Sequence, residues 1–191
     1  MRDYTNFDIY LNELVDDIYP QPVDEGHTRM SLDVINKWIP KVFGCKSVVD
    51  MGCGQVALQE AFERYGLAYT GVAIGVDVIL AKEQGKNIIN TDMTFSGFAD
   101  KSFEMVYSRH SLEHSPFPLL TLMEWHRIAQ NWLLLVLPSP EVYQYTGLNH
   151  YGVMNIQQAR FFLERAKWKV IWEDDSEKTE LRFLCEKLKP K

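Results

Sequence analysis

The sequence predicts one α/β domain built on a mostly parallel, doubly wound sheet with helices on both faces. Three observations lead there. From about residue 46 onward, short apolar runs alternate with amphipathic segments. A glycine-rich turn, GCGQ, follows the first of those runs. The chain closes on two extended segments separated by the polar turn DDSEK, a hairpin pattern.

The first forty residues read as two helices. Leu11, Leu14, Val15 and Ile18 share a face of the first, which Pro20 and Pro22 end. After the turn residues DEG, Ser31 is placed to cap a second helix carrying Leu32, Ile35, Trp38 and Ile39 and stopped by Pro40. SVVDM is then a short strand, and Leu58, Ala61, Phe62 and Tyr65 mark one face of the next helix. AYTGVAI is a second strand, followed by a helical turn, VILAKEQG, ending at Gly85. NIIN and FEMVYS are the third and fourth strands. Leu119, Leu122 and Met123 place a helix before WLLLVLP, a fully buried fifth strand. A helix starting near Asn155 carries Ile156, Ala159, Phe162, Leu163 and Ala166. WKVIWE and TELRFLCEKL form the last, antiparallel pair, with Leu181, Phe183 and Cys185 alternating. Alternating strand and helix implies right-handed crossovers and parallel pairing, so the whole is a seven-stranded sheet ending in an antiparallel hairpin.

Composition narrows the function classes. The 191 residues fit a single domain, 1–191, and carry a formal net charge of -6. An acidic protein gains nothing from counterion release, so no nucleic-acid partner is expected. No apolar run is long enough to cross a bilayer, and the N-terminus mixes acids into its apolar positions, so a cytoplasmic protein with no membrane partner is expected. Cys45, Cys53 and Cys185 include no Cys-x-x-Cys pair, and the five histidines are scattered. No metal site is expected.

The turn after the first strand is the first candidate site. Gly52 and Gly54 allow a tight turn and a close backbone approach, and the turn opens a helix whose N-terminus suits an anionic group. With Ala57 they also satisfy the dinucleotide pattern G-x-G-x-x-A. Here the sequence resembles the class I methyltransferases dependent on S-adenosylmethionine (SAM), in particular the type 11 subgroup. Asp50 matches the acid ending the family's first strand, and TGVAIGVDVILAKEQG resembles its second strand and following helix. NIINTDMTF places Asp92 and Met93 at the adenine-binding positions, and FADKSFEMVYSRHSLEHSPFP resembles the fourth strand and its successor.

The resemblance implies a Rossmann-like fold, SAM as cofactor and S-adenosylhomocysteine as product. It divides the chain into N-terminal helices covering the site (1–41), a SAM-binding core (46–138) and a substrate-side loop, helix and hairpin (139–191). Cofactor contacts then fall to Asp50, Gly52, Cys53, Gly54, Ala73, Ile74, Asp77, Asp92 and Met93, with Ser108 and Arg109 lining the cofactor by their backbone. Asp50 would engage the methionine ammonium, the amides around Cys53 and Gly54 the methionine end, and Asp92 the adenine amino group. Two positions depart from the family pattern. Val56 replaces its third glycine, and Ala73 replaces the acid that binds the ribose hydroxyls. Asp77 either reaches back to the ribose at a bend at Gly75 or caps the next helix.

On the acceptor side, His110 and His114 are candidate bases and His150 and Tyr151 candidate substrate contacts, in a long aromatic segment that also holds Tyr143 and Tyr145. The expected function is methyl transfer to an oxygen or nitrogen of a small polar acceptor. The alternative is a SAM-binding or catalytically degenerate module, which Val56 and Ala73 motivate. The sequence says nothing about oligomeric state.

Overall fold

A computed structural model describes residues 25–42, 44–55, 58–143 and 150–188. Helix α1 (Glu25–Trp38) runs into a 3-10 turn (Ile39–Lys41) at Pro40 and leads to β1 (Ser47–Met51). Then follow α2 (Gln59–Arg64), β2 (Ala68–Ala73), α3 (Val76–Glu83), β3 (Ile88–Asn90) and β4 (Phe103–Arg109). A 3-10 turn (Leu112–His114), α4 (Pro118–Ile128) and β5 (Ala129–Pro138) come next. The chain ends with α5 (Pro140–Tyr143), α6 (Ile156–Arg165), β6 (Trp168–Asp174) and β7 (Glu180–Lys187).

The seven strands form one sheet in the order β3-β2-β1-β4-β5-β7-β6. β1 to β5 pair in parallel, and β7 lies antiparallel between β5 and β6. The seven-stranded, mostly parallel sheet with a terminal hairpin is therefore borne out. Strand order reverses between β1 and β4, and the crevice beyond their carboxyl ends is where such sheets bind ligands.

Strand alternation divides the core into two layers. Val48, Tyr69, Met105, Tyr107, Leu134 and Val136 face α1, α2 and α3, meeting Ile35, Phe62 and Ala81. Val49, Val106, Leu133, Leu135, Leu137 and Phe183 face α4 and α6, meeting Trp125, Ile128 and Leu163. Asn155 caps α6 in a reciprocal capping box: it accepts from the Gln158 amide at 2.9 Å, and the Gln158 side chain accepts from the Asn155 amide at 3.0 Å.

The second N-terminal helix starts at Glu25, six residues before the expected cap. Ser31 is buried inside it, not at its end. Glu25 to Met30 are nearly all tolerable helix residues, and one internal glycine, Gly26, costs only about 1 kcal/mol. Packing of Val34, Ile35 and Trp38 outweighs that. The helix expected around Leu11 to Ile18, together with Val56, Ala57 and Tyr145, lies outside the described residues.

Candidate functional site

The glycine turn leaves β1 with φ of +76° at Gly52 and +54° at Gly54, both in the left-handed region. The amides of Gly52 and Cys53 donate to the Val72 carbonyl at 2.9 and 3.0 Å, lashing the turn to β2. The Cys53 amide is therefore taken up within the fold, contrary to its expected role toward a ligand. A Cβ on Gly52 would lie 2.5 Å from Cβ of Ser111, and one on Gly71 would lie 2.7 Å from Sγ of Cys53. Cys53 thus packs against β2, and Gly52 packs against the turn that follows β4.

Asp50 is buried, and its Oδ2 accepts the Tyr69 hydroxyl at 2.8 Å. Burial pushes its carboxyl up to about 7, with Tyr69 and Arg109 acting in the other direction. At the end of β2, Ala73 is buried and Ile74 half-buried. Gly75 then turns the chain with φ of +70° and is itself the N-cap of α3, with no side-chain cap bond. Asp77 sits in the first turn of α3. Its Oδ2 lies 3.9 Å from where a Cβ on Gly54 would be, and its Oδ1 is buried with no hydrogen-bond partner. Burial raises the Asp77 carboxyl above its ordinary value, against a bond from the Gln55 side chain. Asp77 therefore leans over the glycine turn and does not cap α3.

Past β3, Asp92 folds the next turn on itself. Its Oδ1 accepts from the amides of Thr94 (2.7 Å) and Phe95 (2.8 Å). The Met93 carbonyl accepts from Trp125 Nε1 at 3.0 Å, and the Met93 side chain packs on the α4 face of the core.

At the end of β4, Ser108 is fully buried, and Arg109 turns its guanidinium onto Glu180 at the start of β7, with Nε at 2.9 Å and Nη2 at 2.6 Å from Oε1. His110 has φ of +48°, and its Nε2 is 3.2 Å from the same oxygen. Arg182 donates to Glu180 Oε2 at 3.0 and 3.2 Å. Burial works against ionisation of Glu180, yet His110, Arg109 and Arg182 outweigh it and hold its carboxyl down at about 2. The Arg109 side chain thus has a structural partner beyond the backbone role expected of it, and His110 is engaged with a buried carboxylate.

His114 and His150, 36 positions apart in the chain, come together with ring centroids 5.0 Å apart. Glu113 stands beside them, its Oε1 3.9 Å from His114 Nε2. Burial pushes the Glu113 carboxyl up to about 8, against its own backbone amide and Arg109. The Gly152 amide donates to the Glu113 carbonyl at 3.0 Å, pinning the segment after His150 to the 3-10 turn. Tyr151 is exposed on that segment.

Residues 49–132 match the model of a methyltransferase domain. The chain is similar to the ubiquinone biosynthesis O-methyltransferase of Erwinia tasmaniensis, at 32% identity over 122 residues, covering 60% of this chain and 47% of that protein. It therefore spans about half the length of the curated relative it matches. Residues 49–132 are thus similar to a methyltransferase domain, and the chain has the fold of the class I SAM-dependent methyltransferases. Solved structures of like fold include an SAM-dependent methyltransferase from Archaeoglobus fulgidus, with a TM-score of 0.68, 17% identity, and coverage of 84% of this chain and 94% of that one. Another is magnesium protoporphyrin IX methyltransferase from Synechocystis PCC 6803 with bound SAH, with a TM-score of 0.69, 16% identity and 98% coverage of both chains. The family's cofactor is SAM.

Three residues around the site carried little signal in the sequence. Tyr69 is an ordinary strand aromatic until its hydroxyl meets Asp50. Glu113 stood within a recognised segment, with nothing to mark its burial. Glu180 carried a faint signal: an acid opening a strand whose Leu181, Phe183 and Cys185 are apolar.

Proposed function

We propose that this chain transfers a methyl group from SAM to an oxygen or nitrogen of a small polar acceptor. The observation that carries the reading is Asp77. A carboxylate oxygen buried without a hydrogen-bond partner, over a glycine turn at the switch point of the sheet, suits a ligand hydroxyl pair. Ala73 leaves the family's usual ribose acid missing, and the bend at Gly75 lets Asp77 stand in for it. The residues present therefore fit the cofactor.

On this reading Asp77 accepts from the ribose hydroxyls and Asp92 from the adenine amino group. Met93 provides a soft apolar wall for the ring. Asp50, steadied by Tyr69, presents its remaining oxygen to the methionine ammonium. When bound, SAM supplies an electrophilic methyl group, so the protein's task is to align the acceptor. His114, His150 and Tyr151 line the acceptor side. Oxygen is the favoured acceptor atom, since the Erwinia tasmaniensis relative is an O-methyltransferase.

The test is transfer from SAM labelled in its methyl group to panels of small hydroxylated and amine compounds. The reading expects label in a small acceptor, lowered in Asp77→Ala when SAM is limiting. Tight SAM binding with no transfer to any small acceptor would contradict it and favour a binding module.

A further inference from the structure

Among the described residues, one group of side chains has the make-up of a metal site: Glu113, His114 and His150, each offering one ligand atom, all within 4.8 Å of one another. Two imidazoles and a carboxylate form a set that suits a borderline divalent cation such as zinc. The spread is slightly wider than a bound ion needs, since ligands about 2.1 Å from a tetrahedral zinc stand roughly 3.4 Å apart.

A second observation points independently to a ligand. Glu113 is 1% exposed, and its Oε2 is buried with no hydrogen-bond partner. A buried carboxylate oxygen left unpaired costs free energy that a bound cation recovers. The backbone also holds the two halves together, through the Gly152 amide on the Glu113 carbonyl at 3.0 Å. The cluster lies two residues past Ser111, which touches Gly52 of the glycine turn.

We propose that Glu113, His114 and His150 form a site for one divalent transition-metal ion. Three protein ligands leave a position open, the arrangement of sites that bind an exchangeable oxygen ligand. In this chain the open position takes an oxygen of the methyl acceptor, fixing it at the mouth of the cofactor crevice. The ion site stands on its own residues; only its role toward the acceptor rests on the methyltransferase reading.

The experiment is calorimetric titration of the chelator-stripped chain with zinc alone, and separately with S-adenosylhomocysteine. One zinc per chain is expected, with affinity at least about tenfold weaker in Glu113→Gln and in His150→Ala. His126→Gln, which alters a histidine packed on Trp168 away from the cluster, should bind as the wild type does. His150→Ala changes a partly exposed position, so it reports even if Glu113→Gln folds poorly. No saturable zinc binding, or equal affinity in all variants, overturns the metal site. S-adenosylhomocysteine binding by the same sample without zinc binding overturns the metal site and leaves the cofactor reading standing.

Discussion

Gly52 and Ser111 are in direct contact: the Ser111 hydroxyl donates to the Gly52 carbonyl at 3.3 Å, and no side chain fits on Gly52 beside it. The pair joins the turn after β1 to the turn after β4 across the switch point of the sheet. Gly52→Ala therefore meets two penalties, a left-handed backbone worth about 1–2 kcal/mol and overpacking worth about 1–3 kcal/mol. Thermal unfolding should show the loss, and cofactor binding should fall with it. Gly52→Ala combined with Ser111→Gly should recover the packing share but not the backbone share. Full additivity of the two substitutions would show that the contact carries no coupling.

Asp77 separates the ribose role from ordinary helix support. Asp77→Ala should weaken S-adenosylhomocysteine binding by roughly ten- to a hundredfold, the cost of losing a charged hydrogen-bond partner of about 1.5–3 kcal/mol. Stability should change little, because no side-chain bond caps α3. Unchanged affinity with lowered stability would return Asp77 to a structural role.

Asp50 gives a pH signature. Burial raises its folded-state value to about 7, so the folded protein holds a proton that the unfolded chain releases near 4. Between those values the folded state binds more protons, and stability falls as pH rises from about 4 to 7. Asp50→Asn, which can still accept from Tyr69, should remove that slope and raise the melting temperature at pH 8 by a few degrees. A parallel pH profile for the two proteins would contradict the burial of this carboxyl.

Glu180 has the opposite sign. Its folded-state value, about 2, lies below the unfolded one, so the stability it supplies is present above about 4.5 and is lost as pH falls toward 2. Glu180→Gln leaves Arg109 and Arg182 facing a neutral group and should destabilise the protein by about 3–5 kcal/mol at neutral pH. Its acid unfolding curve should be flatter than the wild type's in that window. An unchanged curve would show that the cluster does not depend on the charge.

The sheet was legible because strand burial writes itself as continuous or alternating apolar runs. WLLLVLP could only be a central strand, and it lies between β4 and β7. The glycine turn was legible for a similar local reason, since only glycine tolerates φ of +76° at position 52. What stayed hidden was contact between distant segments. Nothing local to Glu180 announces Arg109 71 positions earlier, and nothing in the histidine spacing announces that His150 folds onto His114. Helix α1 began earlier than its supposed cap because packing of Ile35 and Trp38 overrides a weak local signal.

Cofactor binding tests the central claim most directly. Calorimetric titration of the folded wild-type chain with S-adenosylhomocysteine should give a dissociation constant in roughly the micromolar range, about -8 kcal/mol, and weaker binding in Asp77→Ala and Asp92→Ala. A folded sample that gives no binding heat at near-millimolar ligand would contradict the account.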